Sequence, residues 1–256
     1  MEKQLSTVPN IERAITIIEL LSSTQDGFSL QELIDKTGLA KTTVFRILNT
    51  FVKHGYLFKE SDNSFVLTKK FLKLGLSSMG DESLIEKSLG VMRQLKDELN
   101  ETVLIGTMVD EKIIMLDQVI GNHPFTFFLK PGKKVDMHVS APGKAYLAFC
   151  DPNERDSLIA DMELTRYNEN TITDKKAFKK HLDDIRKLGY AIDCAEELEG
   201  VHCIGAPVYS SNGQPVALLW VTGPSSRLPE KDFAKNGEII REYALKISKR
   251  LGYIKK

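Results

Sequence analysis

One segment of the sequence, residues 40–54, carries polar side chains of the types that bond the edges of DNA bases. Successive residues of a helix are 100° apart, so the apolar residues of this segment gather on one side and face a core. The opposite side carries small hydroxyls, one amide and one guanidinium: Thr42, Thr43, Arg46, Asn49 and Thr50. The guanidinium of Arg46 can bond guanine O6 and N7 together, and the amide of Asn49 can bond adenine N6 and N7. The segment is therefore a candidate helix for the major groove.

Three lysines near this helix suit contacts with phosphate groups: Lys41, Lys53 and Lys59. Thr42 and Thr43, at the start of the helix, can reach a phosphate or a thymine methyl group. Residues 28–75 contain eight Lys or Arg and four Asp or Glu, a local charge of 8 − 4 = +4, within a chain of zero net charge. A solvated surface helix would also carry charge and hydroxyl groups, so the surrounding elements decide the interpretation.

Those surrounding elements form a three-helix unit with a tight turn, followed by a hairpin. The predicted elements are a helix over 11–22 with Asn10 as its N-cap, a helix opened by the capping box Ser29 to Glu32, a turn at 37–39, the helix at 40–54, and a hairpin of 56–58 with 65–67. This order predicts a winged helix-turn-helix, a module that places its third helix in the major groove of double-stranded DNA.

Length and composition exclude several other classes of protein. The chain has 256 residues, of which 42% are hydrophobic and 27% charged, so disordered and collagen-like chains are excluded. Its apolar runs are far shorter than the roughly 20 residues of a membrane helix, and its first residues do not resemble a signal peptide. We therefore expect a cytoplasmic protein with no membrane partner and two domains.

The rest of the chain predicts an α+β domain built on an antiparallel sheet. The predicted elements are a helix capped by Thr68, a helix over 84–99, strands at 102–109, 112–120 and 125–129, helices at 143–149, 153–162 and from a Thr173 cap to 188, strands at 200–209 and 215–222, and a closing helix over 229–251. The predicted domains are a DNA-binding domain over 8–70, a linker over 71–82 and a second domain over 83–254.

Ordered motifs in both halves resemble those of the IclR-type bacterial transcription regulators. The motifs are Asn10 to Leu21, Leu39 to Leu48, Gly55 to Leu57, Ser140 to Ala145, Tyr167 to Thr173, Gly200 to Val208 and Val221 to Pro224. The resemblance implies a winged-helix homodimer, or a dimer of dimers, with a GAF-like effector domain. It also implies a regulator, with a repressor favoured, whose operator binding responds to a small organic acid of carboxylic or sugar-derived type.

The resemblance also implies which residues line the effector pocket: Ser140, Ala141, Gly143, Asp193, Cys203, Trp220 and Thr222. The N-terminus of the helix after Ser140 would favour an anion. Two residues depart from the pattern of the family, because Pro142 has no N–H and Trp220 stands where a small hydroxyl residue is common. The alternative to a pocket role is core packing for Trp220 and Cys203. For Asp193 the alternative is a structural role in a turn.

Other functions have weaker support in the sequence. The segment Ala141 to Lys144 fails the phosphate-loop pattern, and the five His and three Cys do not have metal-ligand spacing, so we expect no enzyme, no cofactor and no metal site. A redox-responsive DNA-binding regulator is the main alternative, in which Cys194 and Cys203 pair on oxidation if their strands lie side by side. Otherwise the cysteines are expected to be reduced thiols.

Overall fold

The structure is a computed structural model that describes residues 7–24, 26–78 and 84–254, and it divides into two compact units, Met1–Asp81 and Glu82–Lys256. The first unit contains α1 (Pro9–Ser22), β1 (Phe28–Ser29), α2 (Leu30–Thr37), α3 (Lys41–Lys53), β2 (Leu57–Lys59), β3 (Ser64–Leu67) and α4 (Lys70–Ser78). The order of helices and the β2–β3 hairpin are those of a winged helix-turn-helix, as predicted.

Helices α1, α2 and α3 and the β2–β3 hairpin enclose a small apolar core: Ile17, Leu21, Leu33, Val44, Leu48, Leu57 and Phe65. The predicted capping box is present, with the Ser29 side chain bonded to the Glu32 N–H and the Glu32 side chain bonded to the Ser29 N–H. Gly38 ends α2 in the left-handed conformation (φ 66°), which a residue without a Cβ adopts at little cost. This turn sets the angle between α2 and α3.

One prediction for the first unit is wrong, and one short element was not predicted. Asn10 does not cap α1, because the helix begins one residue earlier at Pro9, whose fixed φ suits a first helical position. The Asn10 side chain instead accepts a hydrogen bond from Arg13. The two-residue strand β1 was not predicted, and it pairs Phe28 with Phe65 at the edge of the hairpin. The predicted linker over 71–82 lies partly outside the described residues.

The second unit is built on one six-stranded antiparallel sheet with the order β6-β5-β4-β9-β8-β7. Its elements are α5 (Leu84–Leu99), β4 (Thr102–Val109), β5 (Lys112–Val119), β6 (Lys134–Val135), α6 (Ala141–Phe149), α7 (Pro152–Asp161), α8 (Lys175–Leu188), β7 (Ala191–Cys194), β8 (Val201–Tyr209), β9 (Pro215–Pro224) and α9 (Phe233–Arg250). Helices α5 and α9 pack on one face of the sheet, and α6 and α8 pack on the other. The α+β class with an antiparallel sheet is confirmed.

Successive residues of β9 show how the strands divide between the two cores. Leu218 and Trp220 belong to the core under α6 and α8, whereas Leu219 and Val221 belong to the core under α5 and α9. This alternation follows from the two-residue period of a strand. Both faces are covered by helices, which explains why β9 is apolar at nearly every position.

Several predicted boundaries in the second unit are corrected by the structure. Residues 125–129 are not a strand, because the side-chain amide of Gln118 bonds both the N–H and the carbonyl of Leu129 and takes the place of a neighbouring strand. Asp174, not Thr173, caps α8, since its carboxylate accepts from the Ala177 N–H. The short strands β6 and β7 were not predicted.

Candidate functional site

The polar side of α3 lies at the surface of the first unit, and its apolar side is buried. Val44 and Leu48 are fully buried. Most of the predicted DNA-contacting residues of the helix are exposed: Lys41, Thr42, Arg46, Asn49, Thr50 and Lys53. Thr43 is half-buried, because it lies at the side of the helix nearer to α1. The structure therefore places the predicted side chains on one accessible surface of a helix-turn-helix.

A groove of about 760 Å³ runs along this surface between α1 and α3. Thr43, Arg46 and Thr50 line the groove together with the apolar side chains of Ile15 and Ile47. Thr42 and Asn49 do not line it, so the predicted contact residues form two neighbouring sets around the helix. The helical spacing predicted the outward face, but it did not separate these two sets.

The start of α3 offers a contact that sequence reasoning missed. Its N-cap position is held by Ala40, which has no side-chain oxygen to accept from the first-turn N–H groups. Such N–H groups and the positive end of the helix dipole bind phosphate well, and Lys41 stands beside them. A residue that cannot cap, placed directly before a basic residue, is the sequence signal for this contact.

The hairpin β2–β3 holds Lys59 in a defined position. The Lys59 ammonium lies 5.9 Å from the centre of the Phe65 ring, within the range of a cation–π contact. Asp62 in the turn bonds the side chain and the N–H of Ser64, and these bonds lower the pKa of its carboxyl group. The hairpin thus presents one fixed lysine beside an acidic turn.

In the second unit, three of the predicted effector residues form one row across the sheet. The ladder pairs Asp193 of β7 with Cys203 of β8, and Cys203 with Thr222 of β9. Cys203 Sγ lies 3.3 Å from Thr222 Oγ1, and Asp193 Oδ1 accepts from the Glu196 N–H at 2.8 Å. This row, called the polar row below, lies on the sheet face under α6 and α8.

Trp220 occupies the next row and belongs to the core. It is 3% exposed and lies opposite Gly205 of β8. A Cβ atom added at Gly106 would be only 3.1 Å from the indole ring, so the glycines at 106 and 205 make room for this side chain. Trp220 therefore fills the space between the sheet and α6 and forms a wall beside the polar row.

The start of α6 is tightly packed and has few free donors. The Ser140 hydroxyl donates to the Asp136 carbonyl and accepts from the Gly143 N–H, so it acts as the helix cap. Gly143 lies against the backbone of Met137, where a Cβ atom would be 2.3 Å from Met137 Cα. Pro142 has no N–H, which leaves Ala141 as the remaining donor of the first turn.

A buried ion pair fastens α6 to the turn after β7, and sequence reasoning did not find it. Lys144 is fully buried, and its ammonium bonds the Glu196 carboxylate, which is also buried. Thr171 donates to the Glu196 carbonyl at 2.7 Å. Ala195, between Asp193 and Glu196, has a φ of 57°, a strained conformation for a residue with a Cβ. A lysine within an otherwise apolar helix was the signal for a buried partner.

Burial governs the ionisation of the groups on the polar row. It raises the pKa of Asp193 to about 7, although the charge of Lys144 opposes the shift. Burial also raises the pKa of the Cys203 thiol well above its usual value, and it raises that of Cys194 to about 11. At neutral pH both thiols are protonated, a state in which they are poor nucleophiles.

The register of β7 and β8 is incompatible with the predicted Cys194–Cys203 disulfide. Cys194 lies opposite His202, and its sulfur is 3.6 Å from His202 Nε2. Cys203 lies opposite Asp193, so the two sulfurs point to opposite faces of the sheet. The alternative required the two strands to lie side by side, and they do, but a one-residue offset in register separates the thiols.

Residues 7–24, 26–78 and 84–254 contain no group of three His, Cys, Asp or Glu side chains arranged to hold a metal ion. No helix in these ranges is long and apolar enough to cross a membrane.

The chain matches known proteins over nearly its whole length. Residues 10–61 match the IclR helix-turn-helix domain, and residues 77–249 match the bacterial transcriptional regulator IclR C-terminal domain. The regulator KdgR of Escherichia coli K12 is 28% identical over 99% of this chain and 96% of its own length. The repressor AllR of the same organism is 27% identical over 94% of this chain and 90% of its own length.

A solved structure has the same fold. The IclR homologue of Microbacterium hydrocarbonoxydans, complexed with 4-hydroxybenzoate, superposes with a TM-score of 0.82 at 19% identity, over 94% of this chain and 98% of that one. The relatives are named as transcriptional regulators and not as enzymes. Since the C-terminal match alone spans more than half of the sequence, the chain belongs to the IclR family of DNA-binding bacterial transcriptional regulators.

Proposed function

We propose that this regulator is a repressor whose affinity for its operator changes when a small organic acid, of carboxylic or sugar-derived type, binds the second unit. The observation that carries the proposal is the exposed polar side of α3 within a winged helix-turn-helix. Support for repression comes from AllR, which is named a repressor, and support for an acid comes from the relative that binds 4-hydroxybenzoate.

On the DNA, α3 enters the major groove, where some of its side chains contact bases and others contact phosphates. Arg46 bonds a guanine and Asn49 an adenine, since these side chains match the paired groups on those base edges. The threonines at 42, 43 and 50 contact phosphates or thymine methyl groups. Lys41 and Lys53 hold the phosphate backbone from the ends of α3, and Lys59 does so from the hairpin.

In the second unit, the acid lies between the start of α6 and the polar row. The Ala141 N–H, the Thr222 hydroxyl and the Cys203 thiol are donors for its carboxylate, and Asp193 lines the site beside Cys203. Ser140 and Gly143 shape the helix start, and the Trp220 wall limits the ligand to a small one. The solvent-accessible part of Cys203, between buried neighbours in β8, supports this location.

We further propose that the chain acts as a homodimer or a dimer of dimers. Its DNA-binding domain spans 8–70, its linker 71–82 and its effector domain 83–254. Two copies of α3 would then contact half-sites separated by multiples of about 34–36 Å along the duplex. A protein that binds bacterial operator DNA works where that DNA is, in the cytoplasm.

The proposal is tested by footprinting the full chain on the DNA upstream of its own gene and by measuring transcription from that promoter in vitro. We expect a protected site with two half-sites and lower transcription when the chain is added. Protection with increased transcription would contradict repression, and the absence of any protected site would contradict operator binding at that promoter.

A further inference from the structure

We propose that a surface cavity of the second unit binds an aliphatic diamine or a longer polyamine, whose ammonium groups pair with carboxyl groups from two different elements. The cavity has a volume of about 330 Å³ and lies between the β4–β5 turn and the end of α7. It is called the acidic cavity below, and its polar lining includes Asp110, Glu111, His138, Asp161, Glu163 and Thr165. The polar row does not line it, so this inference stands independently of the acid effector.

The acidic cavity concentrates negative charge within a chain of zero net charge. Five carboxyl groups and one lysine line it, a local charge of 1 − 5 = −4 with histidine taken as neutral. Lys112 pairs with Asp136 at 2.8 Å, and the Tyr167 hydroxyl donates to the same carboxylate. Among the described residues the other four carboxyl groups have no salt-bridge partner. A cationic ligand would therefore meet charge that no protein side chain balances.

The four unpaired carboxyl groups form two pairs on separate elements. Asp110 and Glu111 are the two residues of the β4–β5 turn, and both have a positive φ, of 46° and 60°. Asp161 is the last residue of α7, and Glu163 follows it closely in the chain. All four are exposed, and all four line the same cavity. A molecule with two ammonium groups can pair with both elements at once, whereas a molecule with one cannot.

A buried histidine adds a hydrogen-bond acceptor to the acidic cavity. His138 lines the cavity although it is only 4% exposed. Its Nε2 lies 2.9 Å from the Thr165 carbonyl oxygen, so Nε2 carries the proton, and in the neutral ring Nδ1 is an acceptor. No described residue donates to Nδ1, and the unpartnered polar atoms that are closed off from solvent do not include it. An ammonium group in the cavity can donate to this nitrogen, but a carboxylate cannot.

The remaining lining favours an organic cation over a metal ion. Met137, Leu158 and Met162 contribute apolar side chains, which can contact the methylene groups of a ligand. The volume is that of a small-molecule site. The described part of the chain holds no three side chains arranged as metal ligands. Two ammonium groups joined by a short methylene chain therefore match the charge, the acceptor and the apolar lining together.

The test is calorimetric titration of the full chain with diaminobutane, diaminopentane and spermidine, near neutral pH and at low salt, where screening is weak. Butylamine, which has one ammonium group, and magnesium chloride, which has charge without a carbon chain, are the control ligands. We expect one site per chain and a Kd below about 1 mM for at least one of the three amines, at least about tenfold tighter than for either control ligand. Absence of such binding, or equal binding of the control ligands, would overturn the inference.

A pair of double variants tests where the amine binds. Asp161→Asn with Glu163→Gln removes the two charges at the end of α7 and should raise the Kd about tenfold. Glu169→Gln with Glu199→Gln removes two exposed carboxyl groups that do not line the cavity, and it should bind as the wild type does. Equal weakening in the two double variants would reduce the binding to general charge attraction and overturn the inference.

A substitution of the histidine tests the acceptor. His138→Gln keeps an N–H that can donate to the Thr165 carbonyl, and it removes the Nδ1 acceptor. The variant should bind the amine more weakly than the wild type, and thermal unfolding checks that it is folded. Because the two carboxyl groups of the double variant are exposed, that variant keeps the test valid if His138→Gln does not fold. An unchanged Kd in either folded cavity variant would overturn the assignment of the site.

Discussion

The polar side of α3 and the polar row of the second unit differ in burial and in how their side chains are positioned. The residues of α3 are exposed on one side of a helix whose other side is buried, so each is free to meet DNA. Asp193 and Thr222 are buried and fixed by the register of three strands. Changes on α3 should therefore affect binding alone, whereas changes around the row should affect stability and binding together.

The largest expected effect is the loss of stability when the buried ion pair between Lys144 and Glu196 is broken. Lys144→Met removes the partner of the buried Glu196 carboxylate, and breaking such a pair costs about 3–5 kcal/mol of unfolding free energy. Chemical denaturation followed by the fluorescence of Trp220, the single tryptophan, measures it. Lys179→Ala is the matched control, because it breaks an exposed pair with Asp156 and should cost no more than about 1 kcal/mol. Equal losses of unfolding free energy in the two variants would contradict a special role for the buried pair.

The next effect concerns the dependence of stability on pH. The pKa of Asp193 is about 7 in the folded chain, above the ordinary value of 3.8, so the folded state keeps a proton that the unfolded state releases. Stability due to this group is therefore present below about pH 4 and falls as the pH rises to about 7, by about 2–4 kcal/mol in total.

Asp193→Asn should lack this loss and be more stable than the wild type at pH 8. Denaturation of both chains at several pH values, again followed by Trp220, measures the difference. The same slope against pH in the variant and the wild type would show that Asp193 does not titrate in this range.

Substitution of Arg46 should affect binding without affecting folding. Arg46→Ala loses a bidentate contact and should weaken operator binding by about 1–3 kcal/mol, with relaxed preference at one base pair. Arg166→Ala removes an exposed arginine of the other unit and should bind as the wild type does. Binding to a set of operators with single base changes, at one salt concentration, measures both the affinity and the base preference. An unchanged preference at every position would contradict the role of Arg46.

The smallest effect is expected for a phosphate contact. Lys41→Ala should weaken binding to all sequences to a similar extent and lower the slope of log affinity against log salt by about one. Lys176→Ala, on the exposed side of α8, should leave the slope unchanged. Sequence-dependent weakening would instead make Lys41 a base-reading residue.

The same contrast explains which features could be predicted from the sequence. The capping box at Ser29 and the turn at 37–39 depend on neighbouring residues, so local chemistry predicts them. The exposed side of α3 follows from helical spacing. The two-residue strand β1 is too short for a periodic signal, and the irregular segment at 125–129 depends on Gln118, which lies in another element.

The site in the second unit was harder to predict because it depends on register. A pattern of alternating residues does not say which residue of β7 faces which residue of β8, so it left a Cys194–Cys203 pair open. The burial of Lys144 and its pairing with Glu196 depend on a contact over 52 positions of the sequence. The resemblance to a family supplied candidate residues, and the structure separated Trp220, in the core, from the polar row.

The central claim is that α3 binds an operator and that an acid on the polar row changes this binding. The most direct test is the affinity of the full chain for the DNA upstream of its own gene, at one salt concentration, with and without benzoate, 4-hydroxybenzoate, pyruvate or gluconate. We predict sequence-specific binding that at least one of these acids weakens or strengthens about tenfold, a coupling of about 1.4 kcal/mol. Specific binding that none of the acids alters would contradict the acid effector, and binding without sequence preference would contradict the role of α3.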